Sequence, residues 1–257
     1  MDLTDEQWAV LEPLLPRRQR PRRLRRGRPW QDARAVLNGI LWILRTGAPW
    51  ADLPERYPPY QTCHRRFQQW VRAGTWNRVL RALAADLAER GGLDLTRRLH
   101  RRHLCRGEKG GSCVGKTKRG KGTKIMAVAD GAGLPLAVSI AGASPHEVTL
   151  AEPALDACFA PDLPDRLIGD KAYDSDALDR RLEAERGLAL IAPHRRTRRR
   201  ATQDGRPLRR YRRRWLVERL HAWLQNFRRL VTRYEYHAEN FLGFVQLGCI
   251  VILLRHL

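Results

Sequence analysis

Apolar residues recur at helical spacing through residues 1–90. Thr4 and Gln7 stand three apart, a capping-box pattern ahead of Trp8, Val10 and Leu11, and Pro13 and Pro16 close that run. Val36, Leu37, Ile40, Leu41 and Leu44 share one face of a second helix, with Gly47 placed as its C-terminal cap. Pro49, Pro54, Pro58 and Pro59 mark a connection. Further helices then carry Phe67, Trp70 and Val71, and Trp76, Val79, Leu80, Leu83 and Leu87.

Beyond Gly91-Gly92 the period shortens. A Gly/Lys stretch, Lys116 to Lys124, leads into a strand over Ile125–Ala129; Asp130-Gly131-Ala132-Gly133 supplies a turn, and Leu134–Ala141 the returning strand. A helix over Val148–Cys158, a strand Arg166–Gly169, a helix Ser175–Arg186, a strand Leu188–Ala192 and a long helix from about Leu208 to Arg229 follow. This order is α/β, a mixed sheet with flanking helices behind an all-helical region. The apolar run Phe241–Leu254 is too short to span a bilayer and contains Gln246, so a buried closing helix is expected, with no membrane partner.

Charge changes the picture most. Among 257 residues, 49 Lys and Arg oppose 27 acids, a net charge of +22. Arg17 to Arg28 alone holds eight arginines in twelve residues. Such an excess implies a polyanionic partner, nucleic acid before a membrane surface. Several short helices around a basic stretch suggest a helix-turn-helix-like DNA-binding region over 1–90; a dimerisation bundle fits the pattern equally well. Five dispersed cysteines without a C-x-x-C pair, and a polar, acidic start at Met1-Asp2-Leu3-Thr4, suit a reducing cytoplasm.

Two acids have settings suited to chemistry. Asp170 stands where the short apolar strand Leu167-Ile168-Gly169 runs out, and a carboxylate at a strand end is rigidly aimed. Glu218 lies in Tyr211-x2-Arg214-x3-Glu218, steps that put three polar groups along one helix face. Either acid alone would ordinarily be a surface residue.

Taken together, Gly169-Asp170-Lys171-Ala172-Tyr173-Asp174-Ser175-Asp176 and the Tyr-x2-Arg-x3-Glu spacing resemble bacterial transposases of the insertion-sequence-five family. The likeness extends to Leu3-Thr4-Asp5-Glu6-Gln7-Trp8, Gly47-Ala48-Pro49-Trp50 with Leu53-Pro54, Gly115-Lys116-Thr117-Lys118-Arg119-Gly120 and Asn240-Phe241-Leu242. The resemblance implies a ribonuclease-H-like domain over 91–257 with an Asp-Asp-Glu triad holding two Mg²⁺ ions, for which Mn²⁺ can substitute. It makes Asp170 the second member and Glu218 the third. It implies double-stranded DNA as partner, both terminal inverted repeats and target, a homodimer on that DNA, and a bacterial, nucleoid-associated location. Tyr211 and Arg214 would steady a phosphate or the glutamate; Lys116, Lys118, Arg119, Lys121, Arg195, Arg196, Arg228 and Arg229 would line the DNA path. His146 matches a family motif and is read first as helix-entry structure. Where the family carries a basic residue seven places after the glutamate, this chain has Gln225.

The first triad position departs from the family. Its usual run resembles Phe-Ile-Asp-Gly-Thr-Phe, and alignment on Lys109-Gly110-Gly111 and Leu93-Asp94-Leu95 brings Arg101 to the aspartate, within Leu99-His100-Arg101-Arg102-His103-Leu104. Four of these six residues are Arg or His, a poor composition for a buried strand. Arginine binds no Mg²⁺, so the resemblance implies an inactive or impaired copy, or an inhibitory DNA-binding remnant. Codons CTT CAT CGA CGG CAC CTT encode this run, and one nucleotide later they read Phe-Ile-Asp-Gly-Thr-Phe; compensating frameshifts or sequencing errors would produce the change. Asp94 and Asp130 are weaker candidates for a substitute acid. His100, His103, Cys105 and Cys113 fit no standard zinc-finger spacing.

Overall fold

A computed structural model describes residues 2–16, 30–94, 98–117, 120–160, 166–198 and 215–257. Tyr211, Arg214, Lys118 and Arg119 lie outside the described residues.

The first helix, α1 (Asp5–Leu11), opens on the expected capping box: the Thr4 hydroxyl accepts from Gln7 N and the Gln7 side chain from Thr4 N. A short 3-10 turn over Glu12–Leu14 follows, with proline in its first turn. Helix α2 (Ala33–Thr46) is capped by Asp32, which accepts from Ala35 N, and ends at Gly47 in the left-handed region, φ 71°. Helices α3 (Tyr60–Arg72) and α4 (Thr75–Glu89) complete the helical region.

Strand β1 (Arg98–Gly107) is the spine of a mixed sheet. On one side it pairs antiparallel with β3 (Gly120–Ala129), which in turn pairs with β2 (Gly115–Thr117) and with β4 (Pro135–Gly142). On the other side it runs parallel to β5 (Arg166–Ile168), beyond which β6 (Ala189–Ile191) is also parallel. Helix α5 (Glu147–Asp156) precedes β5, and α6 (Asp176–Arg186) joins β5 to β6. The β3–β4 hairpin is as expected, except that β3 begins five residues before Ile125, inside the Gly/Lys stretch.

The expected helix through Arg229 is interrupted. Helix α7 (Trp215–Gln225) stops, Asn226 and Phe227 break the run, and α8 (Arg228–Val231) turns into β7 (Thr232–Arg233), which pairs with the far end of β1. The last helix, α9 (Ala238–Leu253), is the expected buried helix: twelve of its sixteen residues are buried, so it is covered on all sides. No helix among the described residues is long and apolar enough to cross a membrane.

Strand alternation divides the core. Met126, Val128, Leu167 and Leu190 face α5 and α6, with Leu155, Tyr173, Leu178 and Leu182. Ile125, Ala127, Ile168 and Ile191 face the opposite way, into a cluster with Leu216 and Leu220 of α7, Phe244 and Ile250 of α9, and Leu37, Phe67 and Leu83 of the first helices. The N-terminal helices and the sheet thus share one apolar core. All five cysteines are free, and burial pushes the thiols of Cys63 up to about 11 and Cys105 to about 12.

Candidate active site

Asp170 follows β5 and caps a 3-10 turn, Lys171–Tyr173: Oδ1 accepts from Ala172 N at 2.8 Å. The carboxylate is half-buried, and its other oxygen accepts no hydrogen bond among the described residues. The loop behind it is clamped. Asp174 accepts from Arg195 N at 2.7 Å, meets His194 Nδ1 at 2.9 Å and pairs with Arg198 at 2.5 Å. Burial works to raise the Asp174 pKa, but these donors outweigh it and hold the carboxyl below its usual range. Arg195 also donates to the carbonyls of Lys171 and Ala172, so it braces the turn that aims Asp170. Arg196 is exposed.

Register locates the first triad position. Leu99 lies opposite Ile168 at the end of the parallel β1–β5 pair; Arg101 follows two residues further along β1, and Asp170 two residues beyond the end of β5. Helix α7 packs against β1 and β3. That helix runs alongside β1 in the same direction. At its start Arg219 donates to the Ala132 carbonyl at the hairpin end; further along, the His221 ring lies 5.9 Å from that of His103, and Gln225 Nε2 is 3.1 Å from His103 Nδ1. Glu218, one turn before His221, is half-buried on this helix. The predicted positions 101, 170 and 218 thus lie on β1, on the turn after β5 and on α7. Gln225, which replaces the family's basic residue, is held by His103.

The candidate substitute acids meet each other at the hairpin end. Asp130 is fully buried and closes the hairpin: Oδ2 accepts from Asp94 N at 2.9 Å, and Oδ1 from Ala132 N at 2.9 Å and Leu134 N at 2.6 Å. Burial raises its pKa, opposed by those N–H groups. Asp94 packs on Gly131 so closely that a Cβ there would sit 1.9 Å from its carboxylate oxygen. The His/Cys cluster separates. His100 and His103 fall on opposite faces of β1, one against Tyr173 and the other against α7. Among the described residues no three His, Cys, Asp or Glu side chains gather to hold a metal ion.

His100 is 2% exposed, both ring nitrogens lack hydrogen-bond partners among the described residues, and burial pushes its pKa down to about 4. Composition flagged this window as unfit for a strand; the strand forms nonetheless, because β3 supplies eight paired positions from Leu99 to Arg106.

The basic residues divide by environment. Lys116 and Lys121 are exposed and stand directly opposite each other across β2 and β3, a like-charge pair that disfavours the hairpin unless an anion screens it. Lys124, the last residue of the same Gly/Lys stretch, is instead buried against Glu147 at 3.1 Å. Arg229 is buried too: it donates to Glu235 Oε1 at 2.8 Å and to the carbonyls of Gly47 and Ala48 at 3.2 and 3.0 Å. Its neighbour Arg228 is exposed. Sequence reasoning missed Arg233, fully buried and bonded to Thr123, Ser112 and the carbonyls of Glu235 and Tyr236. His146 caps α5, with Nδ1 3.5 Å from Val148 N, and its Nε2 meets Arg195 at 3.4 Å.

Comparison with known proteins identifies the scaffold. Residues 92–254, more than half of the chain, match the family model described as a transposase DDE domain. The chain belongs to the DDE transposase family. Residues 3–80 match a second family model, a putative transposase of the IS4/5 family. A putative transposase for insertion sequence element IS402 from Burkholderia cepacia is 37% identical over 139 residues, 51% of this chain and 62% of the relative. An insertion element IS402 uncharacterized 16.2 kDa protein from the same organism is 39% identical over 97 residues, 37% of this chain and 66% of its own length. The uncharacterized protein y4sN of Sinorhizobium fredii (strain NBRC 101917 / NGR234) is 32% identical over 84 residues, covering 33% and 64%. The chain spans less than two thirds of the length of these relatives. No solved structure gives a significant match.

Proposed function

We propose that this DDE-family chain is a DNA-binding transposase scaffold whose strand-cleaving step is disabled at Arg101. The observation that supports this reading is the parallel β1–β5 pair, which ends at Leu99 and Ile168, two residues before Arg101 and Asp170, with the helix that carries Glu218 packed against β1. The strand order β4-β3-β1-β5-β6, with three antiparallel strands meeting two parallel ones, supports a ribonuclease-H-like reading of the domain. The helices before residue 91 form the DNA-binding part.

Two divalent ions, when bound in such a site, activate the attacking oxygen and stabilise the leaving one at a phosphodiester. Asp170 offers an open carboxylate oxygen, and Glu218 a second carboxylate, both suitable ligands for Mg²⁺ or Mn²⁺. A guanidinium at the first triad position has no lone pair to give and adds a positive charge. The residues present do not fit a two-ion centre, and no metal-dependent step follows for this chain. DNA binding survives, because it depends on the exposed cations, among them Lys116, Lys121, Arg196 and Arg228. A copy that occupies element ends, as a dimer across two of them, without cutting would interfere with active copies.

The test compares this chain with a variant carrying Leu99→Phe, His100→Ile, Arg101→Asp, Arg102→Gly, His103→Thr and Leu104→Phe. Both are assayed for Mg²⁺- or Mn²⁺-dependent cleavage of DNA bearing the ends of the encoding element. Cleavage by the variant alone is the expected result. Equal cleavage by both would mean that another acid completes the site.

A further inference from the structure

The junction between the helical region and the sheet carries an open pocket of about 440 Å³, lined by Trp42, Arg45, Thr46, Arg56, Asn226 and Arg228. None of these residues is acidic. Five carry side-chain N–H donors; the sixth, Thr46, has its hydroxyl bonded to the Trp42 carbonyl at 2.9 Å. Arg56 donates to the Tyr57 hydroxyl at 2.8 Å. Arg45 and Arg228 have no carboxylate or hydrogen-bond partner among the described residues, although they come from parts of the chain some 180 residues apart. Three guanidinium groups around one cavity repel one another unless an anion lies between them.

The pocket is a rigid construction. Gly47 lets α8 approach the end of α2 so closely that a Cβ there would lie 3.1 Å from Arg228 Cβ. Arg229 fixes the same junction from beneath, through the Gly47 and Ala48 carbonyls and the buried Glu235. The break at Asn226-Phe227, which divides α7 from α8, turns Asn226 and Arg228 toward α2.

From these observations we infer that the pocket is a DNA backbone site: Arg45, Arg56 and Arg228 hold neighbouring phosphates, and Trp42 and Asn226 donate to the same strand. The cavity is larger than one phosphate requires, and it draws on both halves of the chain, so one stretch of backbone is gripped by α2 and α8 together. This rests on the reading that the chain binds DNA, but not on cleavage or on the identity of the element ends.

The experiment uses the full chain and a 30-base-pair duplex of arbitrary sequence, with affinity measured from about 0.05 to 0.3 M salt. The pocket variant is Arg45→Gln, Arg56→Gln and Arg228→Gln. A charge-matched control carries Arg72→Gln, Arg81→Gln and Arg255→Gln at exposed positions outside the pocket. Each lost phosphate contact lowers the slope of log K against log salt by about 0.9. The pocket variant is expected to lose about two to three such contacts, and the control about one or none. Equal slope losses in both variants, or none in the pocket variant, would overturn the pocket assignment and leave DNA binding standing. Absence of duplex binding by the unmutated chain would overturn both readings. Inorganic tripolyphosphate supplies the remaining arm: if it binds through the pocket while the duplex slope is unaffected, the site takes small anions and the backbone assignment is wrong.

Discussion

Replacing His100 with isoleucine should stabilise this protein, increasingly so as the pH falls. In the native chain the imidazole pairs across the sheet with Val128, rests 4.7 Å from the Tyr173 ring centroid and leaves both nitrogens without partners among the described residues. A buried polar group without a partner costs about 1–3 kcal/mol, and isoleucine adds apolar burial, so a gain of about 2–4 kcal/mol at pH 7 is expected. The acid dependence has a definite sign. The folded-state pKa, about 4, lies below the ordinary value of 6.5, so the unfolded chain takes up the proton first and acidification favours unfolding through the window from 6.5 to 4. Between pH 7 and pH 5 this adds about 2 kcal/mol to the difference between His100→Ile and the native chain. Thermal and urea melts of both proteins at pH 7, 6 and 5 measure it, and 2 kcal/mol corresponds to about 4–8 °C in a chain of this size. A variant no more stable at pH 7, with a difference flat in pH, would show that His100 is solvated or paired and that β1 tolerates its sequence. Isoleucine is also what the shifted reading frame places there.

Other perturbations have equally concrete outcomes. Arg229→Met leaves Glu235 buried without its cation, and a loss of about 3–5 kcal/mol is expected in chemical denaturation. Gly131→Ala pushes a methyl group into the Asp94 carboxylate and should destabilise the hairpin end by about 1–3 kcal/mol, read by the melting midpoint. Lys116→Glu places an acid opposite Lys121; thermal stability should rise slightly while duplex affinity falls, and a rise in affinity would remove this hairpin from the DNA path. Alkylation at pH 8 should spare Cys63, Cys105 and Cys249 in the native state, since burial raises all three thiols, as peptide mapping would report.

Much of the fold was legible because its signals are local. The Thr4 capping box, the left-handed Gly47 and the Asp130–Leu134 turn each depend on residues within a few positions of one another. The alignment of Arg101 rested on resemblance; that the parallel β1–β5 pair ends two residues before both Arg101 and Asp170 was not legible in the sequence. What stayed hidden depends on distant partners. Nothing near Arg229 or Arg233 distinguishes them from the surface arginines around them; their burial follows from Glu235, Gly47, Thr123 and Ser112, up to 182 positions away. The break in the long helix was missed because Asn226 and Phe227 are ordinary helix residues, and packing of α8 against α2 overrides their propensity.

Helix α9 has a consequence for the order in which the molecule can assemble. Phe67 stacks on Phe244 at 4.3 Å, and Gly243 leaves room for Phe67 and Val71, so the earliest helices complete their core only against a segment made more than 150 residues later. A growing chain must therefore hold Leu37, Ile40, Phe67 and Leu83 unburied through most of its synthesis, a state that invites aggregation or capture by chaperones. Truncated products that end before residue 238 would contain every helix of the N-terminal region and still lack the surface on which those helices close.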